Sequence, residues 1–306
     1  MILCVCPNPA IDKLVFLDSF KTERVNRINK EFSYPGGKGV HVALGLKELG
    51  EEVMLLSIWG GTSGNWIKQA CEAHGIACYG PEIEEETRTC LTIKSENSSL
   101  ETELLGAGPI IGKKEYISFF DSYEKLLKKA TVASMSGSWP KNSIDASYAP
   151  FIEKASLLDI KSFVDCSGSL LTAALGKKPY AVHINHHEAY DIYKSNNPTE
   201  IFLSLADYCD VAAITYGEKG LYLSDGKKAV HALSKVENLI STVGSGDSLM
   251  AGLIVAHQRN YNLLETAKLG AASGAANCIR KELGMFYKAD VERLFDNCNV
   301  NVKELN

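Results

Sequence analysis

The chain has 306 residues, 45% of them apolar, which excludes a disordered or fibrous polymer and allows one large α/β domain or two smaller ones. Lysine and arginine number 32 against 37 aspartates and glutamates, a net charge of −5 with no run of five like charges, so nucleic acid and anionic membrane are poor partners. The start, MILCVCPNPAID, has no basic region and only a short apolar run, and the longest apolar run elsewhere, Leu249–Ala256, is far below spanning length; a soluble cytoplasmic protein is expected.

Along the chain, short β-rich runs recur: ILCVC at 2–6, VMLLSI at 53–58, VASMS at 132–136, SFVDC at 162–166, YAVHIN at 180–185 and DVAAIT at 210–215. Each is followed by a helical pattern, which predicts βαβ units and a mostly parallel sheet covered by helices. Val42, Leu46 and Leu49 share one helical stripe ahead of Gly50, and Tyr116, Phe119, Phe120, Tyr123, Leu126 and Leu127 share another. Two stretches break the rhythm. Residues 12–34 read as paired strands, and residues 87–105 read as a hairpin with SENSS at its tip. They form either one small sheet acting as a lid or an edge extension of the main sheet. The nine cysteines contain no CxxC pair, which fits buried thiols in a reducing compartment rather than disulfides or a zinc knuckle.

Polar and glycine-rich turns follow several of these strands. NPAID, Asn8–Asp12, comes directly after the first strand, where open α/β sheets gather ligands. Asp12 there either accepts from sugar hydroxyls or closes a turn after Pro9. In YPGGKG, Gly36, Gly37 and Gly39 surround Lys38 ahead of a helix. Backbone donors plus a cation suit a polyhydroxylated or phosphorylated ligand, although a flexible helix entry would use the same glycines. TRTC puts Arg88 on the second unusual stretch, where it is a lid cation for a substrate phosphate or a solvated charge. MSGSWP sets Ser136 and Ser138 on a turn. HINHHEAY holds three histidines and Glu188 without the HExxH spacing, whereas Mg²⁺ held largely through phosphate oxygens needs only the one carboxylate.

The stretch TVGSGDSLMAG, Thr242–Gly252, crowds Gly244, Ser245, Gly246 and Asp247 onto one turn. The glycines permit positive φ and close approach, and a helix starting near Asp247 aims N–H groups and its positive dipole end at the same spot. Asp247 is then either a reacting carboxylate beside an anion cradle or a dipole-compatible residue of the first turn. Leu249 stands where GxGxxG needs its third glycine, and no GxxxxGK[ST] occurs, so neither a Rossmann site nor a P-loop is supported.

In this order, NPAID, GGKG, TR, SGSxP, DxSG at 165–168, NxxE at 185–188 and GSGD resemble the ribokinase-like (PfkB) sugar kinases, from Ile2 to Phe295. The NPAID start, GGKG and GSGDSxxAG are most similar to the hexose-phosphate branch, the tagatose-6-phosphate kinases and 1-phosphofructokinases. The resemblance implies a single α/β domain, a three-layer α/β/α sandwich whose lid is formed by 12–34 and 87–105 and pairs lid to lid in a homodimer. It also implies ATP, Mg²⁺ and phosphotransfer to a hydroxyl of a ketohexose monophosphate. By the same resemblance Asp247 is the general base, with Gly244, Ser245 and Gly246 as the anion hole. Asp12, Gly36, Gly37, Lys38, His41, Arg88 and Ser138 fall on the sugar-phosphate side. Asn185, Thr215, Gly217, Gly220 and Asn277 fall on the nucleotide side, with Glu188 near the metal.

Three positions depart from the pattern. His41 stands where asparagine is usual, altering a substrate hydroxyl contact. His183 and Ile184 replace a lysine and a proline, removing a fixed positive charge from the nucleotide side. Trp139 replaces a leucine and is expected to reshape the pocket. The alternative functions are a kinase of an unphosphorylated sugar or nucleoside, and a catalytically weak sugar-phosphate sensor.

Overall fold

The computed structural model of the chain describes residues 1–95, 101–141, 143 and 146–305. The expected hairpin tip at 96–99 lies outside the described residues. The centre is a ten-stranded sheet in the order Asn299–Glu304, Lys228–Leu233, Leu221–Ser224, Val211–Thr215, Ala181–Asn185, Lys161–Asp165, Val132–Ser136, Ile2–Cys6, Val53–Ser57, Ala77–Tyr79. From Ala77–Tyr79 through Val211–Thr215 the neighbours are parallel, and the remaining three strands add antiparallel ladders at one edge.

Inside the sheet, the parallel strands are buried on both faces; the edge strand Ala77–Tyr79 is only partly covered. Ile2, Cys4 and Cys6 enter one apolar core while Leu3 and Val5 enter the other, as period-two side chains must when helices cover both sides. Lys38–Glu48, Gly61–Ala73, Ser245–Gln258, Leu263–Cys278 and Lys288–Asp296 cover the first face; Lys113–Leu127, Ala149–Leu157, Gly168–Leu175 and Pro198–Leu205 cover the second. The result is the expected three-layer α/β arrangement with a mostly parallel sheet. Helix Ser245–Gln258 approaches Leu263–Cys278 closely at Gly252, where a β-carbon would lie 2.7 Å from the Ser273 hydroxyl and 2.8 Å from the Leu269 carbonyl.

A separate four-stranded sheet takes the order Lys30–Gly36, Ala10–Leu17, Arg88–Ser95, Glu101–Leu105. It is distinct from the main sheet, so an edge extension does not describe it. The first of the expected strand pair starts at Ala10 rather than 12, and residues 25–29 form no strand; Asn26 instead closes a loop through bonds to the backbone of Lys21. Asp12 stands opposite Tyr34 on one neighbour and Cys90 on the other. Thr92 pairs with Glu103 and Lys94 with Glu101, so alternate residues of two strands share the inner face with Asp12. The other face carries a small apolar cluster of Val15, Leu17 and Ile93, with Leu91 against it.

The nine cysteines are all free thiols. Among the described residues, no helix is long and apolar enough to cross a membrane.

Candidate active site

A cleft of about 660 Å³ opens between the small sheet and the carboxyl ends of the parallel strands. Of the residues expected at the site, Asp12, Gly37, Lys38, His41, Arg88, Ser138, Asn185, Glu188, Thr215, Gly244, Ser245, Gly246 and Asp247 line it. The sheet delivers them from separate strand ends, and the small sheet adds Cys90, Thr92, Glu101, Glu103 and Leu105 from its inner face.

Asp247 lies in the first turn of Ser245–Gln258, whose N-cap, Gly244, adopts the left-handed conformation at φ 82°. A β-carbon on Gly244 would sit 2.3 Å from Gly284 Cα. No side chain caps this helix start, and the first turn of an α-helix leaves N–H groups without intrahelical partners. The turn is therefore suited to a bound anion. Behind it, buried Asn277 donates from Nδ2 to the Val243 carbonyl at 2.8 Å, bracing the residue just before Gly244.

His41 projects from helix Lys38–Glu48 between two carboxylates. Its Nδ1 is 2.9 Å from Asp247 Oδ2, and its Nε2 is 3.1 Å from Asp12 Oδ2, an ion-pair contact without hydrogen-bond alignment. Burial pushes the imidazolium toward neutrality, but the contacts and charges of Asp12 and Asp247 outweigh it and raise the pKa to about 10. Gly36 leaves room for Asp12: a β-carbon there would lie 2.1 Å from Asp12 Oδ2.

Asp165, 1% exposed, takes a partner on each oxygen, Lys38 Nζ at 2.5 Å on Oδ1 and His183 Nδ1 at 2.8 Å on Oδ2. Burial alone would raise the Asp165 pKa; the lysine and histidine charges reverse this and hold the carboxyl well below the usual range. The charges of Asp165, Asp247 and Glu188 in turn hold Lys38 above the usual lysine value against its own desolvation. The other ring nitrogen of His183 meets Thr215 Oγ1 at 3.1 Å. His183 thus joins a chain running from Lys38 to the end of strand Val211–Thr215.

Arg88 is more occupied than a free lid cation. Its guanidinium donates to the carbonyls of Asn8 at 3.0 Å, Gly106 at 3.2 Å and Pro9 at 3.4 Å. Asn185 and Glu188 form a reciprocal capping box at the start of His186–Tyr193: Asn185 Oδ1 accepts from the backbone of His187 and Glu188, and Glu188 Oε2 accepts from the backbone of Asn185 at 2.8 Å. The small sheet is tied over the cleft by Lys94, which donates to the Ile240 carbonyl, and by Glu101 Oε2, which accepts from the Thr242 backbone at 3.2 Å.

Gly36, Gly217, Gly220 and Asn277 do not line the cleft. Gly217 and Gly220 flank a short turn at φ 57° and 85°, a conformational demand that glycine meets. Trp139 does not line the cleft. It is 6% exposed and packs against Tyr116, Phe119, Tyr148 and Phe151 within the second core. Among the described residues no group of three or more His, Cys, Asp or Glu side chains could hold a metal ion. Sequence reasoning missed the role of Asp165 as the partner of Lys38, for which DxSG was the available signal. It also missed Glu101 and Glu103, which alternation along ETELL could have placed on one face.

Residues 8–286 match the model of the pfkB family carbohydrate kinases. A Thermotoga maritima protein named as a possible 1-phosphofructokinase is 25% identical, with 99% of each chain covered and a TM-score of 0.86. Escherichia coli phosphofructokinase-2 in complex with fructose 6-phosphate is 19% identical over 97% of this chain and 98% of its own, with a TM-score of 0.84. A nucleoside kinase from Methanocaldococcus jannaschii, 19% identical over the same shares, scores 0.74. With the family model covering most of its length, and the three-layer fold and small sheet in place, the chain belongs to the pfkB family of carbohydrate kinases.

Proposed function

We propose that the protein transfers the γ-phosphoryl group of ATP to a hydroxyl of a ketohexose monophosphate, of the tagatose 6-phosphate or fructose 1-phosphate kind, giving the bisphosphate. The observation that carries this reading is Asp247, set in the first turn of an uncapped helix and sharing one cleft with Asp12, Lys38, Arg88 and Glu188. Asp247 takes the proton of the acceptor hydroxyl while that oxygen bonds to phosphorus and the bond to ADP breaks. The backbone of Gly244, Ser245 and Gly246 receives the charge of the moving phosphoryl group. Asp12, Gly37 and His41 border the acceptor, Lys38 and Arg88 supply its cations, and Ser138 lies nearby. Asn185 and Thr215 border the nucleotide. The second oxygen of Glu188 would hold Mg²⁺, which would supply charge neutralisation on the phosphates. Gly36 and Asn277 support these groups from behind, and Gly217 and Gly220 shape the turn after Thr215.

A second reading, an unphosphorylated sugar or nucleoside as acceptor, is favoured by two observations. Lys38 is paired to Asp165 and Arg88 to three carbonyls, while the small sheet contributes Glu101 and Glu103 to the cleft. ADP release measured with fructose 1-phosphate, fructose 6-phosphate, tagatose 6-phosphate, fructose, ribose and nucleosides separates the two. The first reading expects turnover with a ketohexose monophosphate; turnover with an unphosphorylated acceptor instead establishes the second. Binding of a sugar phosphate with no ATP turnover makes the protein a sensor. We also propose a homodimer through the small sheet, supported by the exposure of Leu104 at 49% and Val25 at 88% in that region.

A further inference from the structure

His41 stands out as a buried ionisable ring with a carboxylate at each nitrogen. The two nitrogens of an imidazole point outward from a rigid five-membered ring, so a carboxylate on each side is held at a separation the ring dictates. Both are here: Asp247 Oδ2 at 2.9 Å and Asp12 Oδ2 at 3.1 Å, with the ring 2% exposed. A neutral histidine carries one N–H and would turn a lone pair toward one of the two carboxylates; only the doubly protonated ring carries a hydrogen on each nitrogen, bonded to Asp247 on one side and in ion-pair contact, without hydrogen-bond alignment, with Asp12 on the other. The pocket is cut to the ring. A β-carbon on Gly284, itself at φ 68°, would lie 2.1 Å from the imidazole carbons, and one on Gly244 would lie 3.3 Å from Nδ1. Asparagine, smaller and uncharged, would neither fill this space nor neutralise two carboxylates.

We infer that His41 is a positioning residue whose imidazolium locks Asp247 and Asp12 into one charge-bridged unit, presenting a single oxygen of Asp247 to the acceptor hydroxyl. The inference rests on the reading of Asp247 as general base. In the transfer, the hydroxyl proton passes to the Asp247 oxygen that His41 leaves open as the O–P bond forms and the bond to ADP breaks. The imidazolium has no lone pair to receive that proton, so it leaves through Asp247 as product departs. His41 therefore orients and neutralises; it does not relay.

The charged groups around the ring come from several elements: Asp12 from strand Ala10–Leu17, Asp247 from helix Ser245–Gln258 and Glu103 from strand Glu101–Leu105. Lys38 on its own helix and Arg88 on strand Arg88–Ser95 line the same cleft. The anionic neighbours hold the ring protonated against its burial, to about 10.

The test is the ¹⁵N NMR signature of the His41 ring, with turnover measured on the same proteins. At pH 8 both ring nitrogens of the wild type are expected to give protonated shifts, and Asp12→Asn is expected to bring the ring's titration to lower pH. His41→Asn, if folded by circular dichroism, is expected to lose about 10²-fold in kcat at unchanged ATP affinity. A neutral His41 ring at pH 8 overturns the inference, and that measurement needs no variant to fold. Asp247→Asn separates the two levels. Wild-type turnover in that variant removes the base and with it the inference, whereas lost turnover alongside a neutral ring removes the inference alone.

Discussion

Each side chain of the cleft proposed to act in the transfer is already spoken for on one side. Asp247 meets His41 through Oδ2, Lys38 meets Asp165, and Glu188 gives one oxygen to a capping box. These contacts fix orientation in advance, which is how most of a phosphotransferase's work is done when little covalent chemistry is required. If Lys38 and Arg88 hold the phosphate of the acceptor, Lys38→Ala or Arg88→Ala raises KM for the phosphorylated sugar by about tenfold or more, the size of a lost charged hydrogen bond. An unchanged KM in both variants points to the unphosphorylated acceptor. At this scale the sequence was legible where backbone geometry demands glycine, as at Gly37 at φ 95° and Gly244 at φ 82°. It was not legible where pairing depends on the tertiary fold. His41 and Asp12 meet only because the small sheet sets Asp12 over the start of helix Lys38–Glu48, and no local pattern records that.

The helix that carries the anion turn is seated on its neighbour through a glycine contact. Adding one methyl at Gly252 drives it against the Ser273 hydroxyl and the Leu269 carbonyl, both under 3 Å from the new carbon. Gly252→Ala is expected to cost about 1–3 kcal/mol of stability through overpacking. Since the displaced helix begins at the Gly244 turn, turnover should fall with it; chemical denaturation and kcat on one preparation check both. Six of the parallel strands were readable because both faces are covered and their runs are mostly apolar; the seventh, the short edge strand Ala77–Tyr79, is only partly buried and was not read. Nor was the antiparallel edge. Strand Asn299–Glu304 is exposed along its whole length, so it has no burial pattern to read, and its place is set by pairing with Lys228–Leu233.

Over the whole molecule, the charge network makes stability depend on pH in two directions. The folded His41 value of about 10 lies above the unfolded value of about 6.5, so its contribution is complete below pH 6.5 and is lost as pH rises toward 10. Asp165 runs the other way: its folded value is depressed, so its contribution is present above about pH 4 and is lost on further acidification. Thermal unfolding of wild type and His41→Asn should therefore differ most near pH 6 and converge toward pH 10. A constant gap across that range removes the charge from the account. The measurement closest to the central claim is the single-turnover rate of the wild type and of Asp247→Asn on the best acceptor, with ATP binding measured alongside. The account predicts a loss of about 10²- to 10⁴-fold with ATP affinity retained. Near wild-type turnover by Asp247→Asn would contradict it.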